Sequence, residues 1–172
     1  MGKPLNPTEL QGRRLSVVIY WPPLKEPDHG HGALIIDTQR FEVTSSDYYV
    51  SWMGAGIGKN ALQQPGAAQT FHTDMLTWGG QGGNYNGNLP TRWVTLKRLD
   101  IAAMKQAWDT LRNKPNAHWK LFDKNCATGV ARVLKAGGAD NYATKAQNQA
   151  VWWPSDLIKY AKSMGTAVVS TS

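Results

Sequence analysis

KNCATGVARVLKAGG, residues 124–138, carries the single cysteine of the chain, Cys126, where a polar loop runs into an amphipathic pattern. Val130, Val133 and Leu134 recur at helical spacing after it, so the cysteine begins the stripe that a helix here turns toward a core. Gly137 and Gly138 close that helix, and Asn125 and Asp123 are candidate caps for its start. Two readings of Cys126 follow. The apolar spacing alone makes it a packing residue. Its place in the first turn makes it a nucleophile, because unpaired backbone N–H groups and the positive end of the helix dipole stabilise a thiolate.

Outward from this segment the second half of the chain reads as helical. WWPSDLIKYAKSMG predicts a helix with Ser155 as N-cap and Leu157, Ile158, Ala161 and Met164 on one face. In LDIAAMKQAWDTLRN, Ile101, Met104, Trp108 and Leu111 form one stripe behind Asp100 as N-cap, and Pro115 ends the helix. HWKLFD lies between the helices as a short extended segment. The first half reads as strands: RRLSVVIYW (13–21), stopped by Pro22 and Pro23, then HGALIID (31–37), DYYVSWM (47–53) and TRWVTLKRL (91–99). RFEV extends one of the middle pair.

Between Gly54 and Asn88 the chain is rich in Gly, Gln and Asn, and GGQGGNYNGN supports no regular element without a heavy entropic cost. This predicts a long surface excursion of the kind that often carries function. Strands followed by helices indicate an α+β domain, an antiparallel sheet packed against helices. The expected organisation is a flexible segment over 1–12, one domain over 13–165 with the Gly-rich insertion at about 54–88, and a C-terminal tail over 166–172.

At 172 residues with 41% hydrophobic content and 18% charged, the chain describes one folded domain. One cysteine excludes an intramolecular disulfide. No apolar run approaches the roughly 20 residues of a membrane span, and MGKPLNPTELQGRR lacks an apolar signal core. A protein of this kind acting outside its cell needs another route. The net charge of +7 favours anionic partners, but Lys and Arg are scattered without a nucleic-acid-binding pattern, so no nucleic-acid partner is expected. GAGIGKN has the wrong spacing for a phosphate loop and Asn60 where Ser or Thr belongs.

A nucleophilic cysteine needs a base. Histidines occur at 29, 31, 72 and 118. In DHGHGALII, His29 and His31 share a side if the segment is extended, and Gly30 and Gly32 leave the imidazoles unshielded. His31 stands at the mouth of an apolar strand, a rigid place for a general base. Two histidines without a third ligand make a weak metal site, so neither metal nor cofactor is expected. Trp52, Trp78, Trp93, Trp152 and Trp153 either line a cleft or fill the core, with Trp93 assigned to the core.

HGALII, then YVSW, then NCATGVARVLKAGG and WPSDLIKYA together resemble the circularly permuted NlpC/P60 branch of the papain-like cysteine hydrolases and acyltransferases, the lecithin:retinol acyltransferase-like proteins among them. The resemblance runs from about His29 to Met164, and the Gly-rich region has no counterpart in it. It implies a permuted papain-like fold with Cys126 as nucleophile and His31 as base. Members place a polar residue on the strand after the histidine strand. Pairing Ala33–Ile36 antiparallel with Tyr48–Trp52 sets Ser51 beside His31, so Ser51 is the candidate orienting residue, with Asp47, Glu42 and His72 as alternatives. Trp52, Asn125 and His29 are the candidate substrate-binding residues.

The resemblance further implies a type VI secretion antibacterial effector, exported without a signal peptide and acting in the target-cell periplasm or at its membrane. A cognate immunity protein and a secretion-system component are the partners it implies. The expected reaction is thiolate attack on a carbonyl, through an acyl-enzyme, on an amide of peptidoglycan peptides. A phospholipid ester, deamidation of a protein, and a non-enzymatic binding module on the same scaffold are the alternatives.

Overall fold

In the computed structural model, residues 14–23, 29–38, 48–54, 63–78, 90–120, 124–145 and 148–172 are described. The segment 1–12, the RFEV extension, Glu42, Asp47, Asp123 and GGQGGNYNGN lie outside them.

Strands β1 (Leu15–Trp21) and β2 (His31–Thr38) form an antiparallel pair that is almost wholly buried. β3 (Tyr49–Val50) joins the outer side of β2, and β6 (Arg92–Leu96) the other side of β1. The sheet order is β3-β2-β1-β6-β8, where β8 (Val168–Thr171) pairs antiparallel with β6. The last residues are therefore a strand of the main sheet and not a tail. Val168 and Val169 supply the β-branched pair that fits the pleat.

A second sheet, β4-β5-β7, is built from β4 (Trp52–Gly54), β5 (Gln63–Ala68) and β7 (His118–Lys120). β5 and a helix, α1 (Phe71–Trp78), fall inside the stretch expected to be an irregular excursion. Thr70 begins α1, its Oγ1 accepting from the Thr73 N–H. Phe71, Asp74, Met75 and Trp78 follow at helical spacing and make its inward face.

Three further helices complete the domain: α2 (Ile101–Arg112), α3 (Cys126–Ala136) and α4 (Pro154–Lys162). Asp100 caps α2 and Asn125 caps α3 through their side chains. Ser155 does not cap α4. Pro154 takes the first helical position, where a missing N–H loses nothing, and Asp156 accepts from the Trp153 backbone N–H.

Alternation along the strands gives the sheet two apolar faces. Val18, Leu34, Ile36, Val94 and Leu96 pack against Met104, Trp108, Val130, Leu134 and Leu157 of the helices. Val17, Ile19, Trp21, Ala33, Ile35 and Tyr49 pack against Phe71 of α1. The fold is thus α+β, with antiparallel sheets packed against helices, and His31 begins the strand enclosed between the two layers.

Candidate active site

His31 is the first residue of β2 and is completely buried. The glycines beside it do not expose it. Gly30 has φ +74, and a Cβ there would stand 2.3 Å from the Trp21 carbonyl oxygen, so this glycine makes the turn into the strand. A Cβ on Gly32 would stand 2.6 Å from Leu157, so the second lets α4 approach the sheet. The turn at Gly30 also parts the two histidines. His29 is exposed and lies against Trp153, ring centroids 4.2 Å apart, while His31 turns inward.

His31 Nε2 is 2.9 Å from Asp74 Oδ2 on α1 and 2.9 Å from Ser51 Oγ, which sits between β3 and β4. Tyr49 donates to the same Asp74 oxygen at 2.7 Å. His31, Ser51 and Asp74 are all buried, so Asp74 spends its charge inside this network. Its partners compensate the desolvation an isolated carboxylate would suffer. Tyr49 is held well above its ordinary pKa by burial and by the Asp74 charge, and so remains a donor.

Two indoles stack on the imidazole. Trp78 stacks on it at 5.3 Å and 9°, and Trp21 lies across it at 5.9 Å and 26°. Both rings suit a cationic imidazole. With Nε2 committed, Nδ1 is the remaining ring nitrogen. It is buried and has no hydrogen-bond partner of full geometry among the described residues. Burial works to lower the His31 pKa, but the charges of Cys126 and Asp74 and the hydrogen bond to Asp74 outweigh it and raise the value to about 10. Cys126 shares a cleft with Trp78, whose ring stacks on His31, and this sets the cysteine near the histidine.

Cys126 opens α3 and is 6% exposed. Asn125 Oδ1 accepts from the Thr128 N–H and hydroxyl, and its Nδ2 donates to the Trp152 carbonyl oxygen. Asn125 is therefore structurally engaged and holds the helix start in place. The Cys126 and Ala127 N–H groups have no intrahelical acceptor by helix geometry, so their bonds fall to groups outside the helix. Cys126 lines a cleft of about 200 Å³ with His29, Met53, Trp78, Trp119 and Trp153. Of the tryptophans expected at a cleft, Trp78 and Trp153 are there. Trp52 is 4% exposed, meets Trp108 edge to face, and lines a different cavity; Trp152 and Trp93 pack elsewhere.

His72 is exposed on α1 and is not in the network. Asp74 and Tyr49 were not singled out from sequence. The signal was available: Asp74 falls on the stripe Phe71, Asp74, Met75, Trp78, where an acid on an apolar face demands a buried partner. Among the described residues no cluster of three His, Cys, Asp or Glu side chains could hold a metal ion, and no helix is long and apolar enough to cross a membrane.

The site thus places a cysteine at a helix start on the same cleft as Trp78, the indole stacked on the strand-borne histidine, in an α+β domain of antiparallel sheets and packed helices. The crystal structure of the type VI secretion system effector TseH shares the fold, with a TM-score of 0.52 over 87% of this chain and 88% of that one at 17% identity. The chain belongs to the family of the IcsB middle domain, whose family model matches residues 61–171, more than half of it. It is also 41% identical over 76 residues to the multifunctional-autoprocessing repeats-in-toxin of Vibrio vulnificus, and equally to that of Vibrio cholerae serotype O1. Those matches cover 43% of this chain and 2% of each toxin, so the chain spans a small fraction of their length.

Proposed function

We propose that this domain is a cysteine-dependent acyl-transfer enzyme of a secreted bacterial effector. The observation that carries this is the chain of contacts from Tyr49 through Asp74 to His31, with Cys126 as the group that, beside Asp74, raises the histidine's pKa. Asp74 and Ser51 fix Nε2, so Nδ1 takes the thiol proton. The thiolate attacks a carbonyl carbon, and its oxygen becomes an oxyanion met by the N–H groups of Cys126 and Ala127. Collapse expels the leaving group, which takes the proton from His31 Nδ1. Water or another nucleophile then releases the acyl group.

Asp74 is the stronger orienting residue and Ser51 its auxiliary, because a carboxylate holds one imidazole tautomer more firmly than a hydroxyl. Export as an effector is favoured by the TseH likeness and by the similarity to the two toxins. The permuted NlpC/P60 resemblance points to an amide of peptidoglycan peptides in a target cell, with an immunity protein in the producer. The aromatic and thioether lining of the Cys126 cleft favours instead an apolar acyl group, as in a phospholipid ester.

The test is incubation of wild type and Cys126→Ala with purified peptidoglycan sacculi and with mixed phospholipid vesicles, followed by mass spectrometry. Cys126-dependent release of peptide or fatty acid is expected from one of them. Release from neither, together with alkylation of Cys126 by iodoacetamide no faster than a free thiol's, would refute the enzyme reading.

A further inference from the structure

Asn125 lines two cavities. One is the aromatic cleft at Cys126; the other is larger, about 490 Å³, and lies along the adjoining face of α3. Its lining differs in kind. Trp52 and Leu111 give it apolar wall, Lys114, Lys124, Arg132 and His118 also line it, and no Asp or Glu among the described residues does.

The charges here are also unspent. Arg14, Lys105, Arg112, Lys135 and Lys159 each pair with an aspartate. Lys114, Lys124 and Arg132 form no ion pair among the described residues. Cations gathered at a concave site with low-dielectric walls focus a positive potential there. The capped helix start contributes little, since the Thr128 and Gly129 N–H groups already bond to Asn125. Recognition therefore falls to the side chains.

We infer that this second cavity is a subsite for an oxyanion, a phosphate or carboxylate group, carried by the molecule whose carbonyl reaches Cys126. Its catalytic meaning rests on the acyl-transfer reading; its anion binding does not. Arg132 stands six residues beyond Cys126, about 9 Å of helix rise. Lys124 precedes the cysteine by two. The anion is thereby held to one side of the reacting carbon at a fixed reach, which selects substrates by the spacing of charge and carbonyl and lowers the entropy lost at attack. Arg132 would engage it bidentately, Lys114 as a point charge.

The experiment uses the Cys126→Ala protein, so that no turnover intervenes, and follows backbone amides by NMR while inorganic pyrophosphate or glutarate is added. Saturable shifts centred on Lys124, Thr128 and Gly129 are expected, weakened by added salt. Lys114→Gln with Arg132→Gln should weaken binding at least tenfold at an unchanged melting temperature, and Arg132→Lys should restore part of it. Tighter binding of pyrophosphate marks a phosphate-bearing molecule, and tighter binding of glutarate a carboxylate-bearing one. No saturable shift with either anion, or equal affinity in the double variant, would overturn the assignment. Iodoacetamide alkylation of the wild type is measured separately: an inert Cys126 with intact anion binding removes the enzyme reading and leaves the subsite standing.

Discussion

Strand β2 holds an ionisable partner near each end, and the two are made differently. At its start, His31 meets Asp74 with side chains 0% and 2% exposed. Near its far end, Asp37, at φ 64, pairs with Lys105 and with Arg14, which is 61% exposed. Arg14 is wet and screened, and Asp37 and Lys105 keep a part of their side chains in water, about a fifth to a quarter. The inner pair is dry, so removing either partner strands the other without water. The contrast separates charge that decorates a fold from charge that the fold was shaped to enclose.

That contrast breaks hardest at the inner end. Cys126→Ala should abolish acyl transfer and all iodoacetamide labelling, measured by intact mass, with the fold retained because Cys126 belongs to neither apolar cluster. Asp74→Asn comes next. It removes the charge but keeps the shape, and should lower turnover on the order of 10²- to 10⁴-fold, the range expected when an imidazole loses its orienting carboxylate. A loss under about tenfold would demote Asp74 to a packing role.

The sign of the histidine shift supplies a third test. A pKa raised to about 10 means the imidazolium's contribution to stability is complete below its ordinary value near 6.5 and fades as pH rises toward 10. The His31 ring signal should therefore stay in its protonated position through pH 8. Cys126→Ser and Asp74→Asn should each lower the midpoint, since each removes a cause of the rise. A wild-type midpoint near 6.5 would deny the coupling. Ser51→Ala should cost about 1 kcal/mol in transition-state stabilisation, the worth of one hydrogen bond whose partner keeps another acceptor. Asp37→Asn, with Asp37 and Lys105 only partly reached by water, should cost about 1 kcal/mol in urea unfolding and leave turnover alone.

The sequence disclosed the inner end only in part. Alternation and helical stripes located β1, β2, β6 and the helices α2, α3 and α4, because each packs a regular apolar face on the common core. The cap at Asn125 and the pairing that brings Ser51 to His31 followed from local rules. Asp74 did not, for a physical reason. Its helix spans only eight residues, follows a strand containing Pro65 and Gly66, and precedes a glycine-rich run, so neighbouring composition masked a correct stripe. Gly66 itself is there for space: a Cβ would stand 2.1 Å from the Trp52 indole. Such a contact joins residues distant in sequence and leaves no periodic trace.

The two indoles stacked on His31 have a use beyond holding it. Excited indole is quenched by a neighbouring imidazolium more than by the neutral ring, so Trp78, stacked at 5.3 Å, is a native optical gauge of the site's charge. The emission difference between wild type and Trp78→Phe, followed against pH, would trace His31 protonation in solution without label, substrate or isotope, and would report the arrival of any molecule that disturbs the pair.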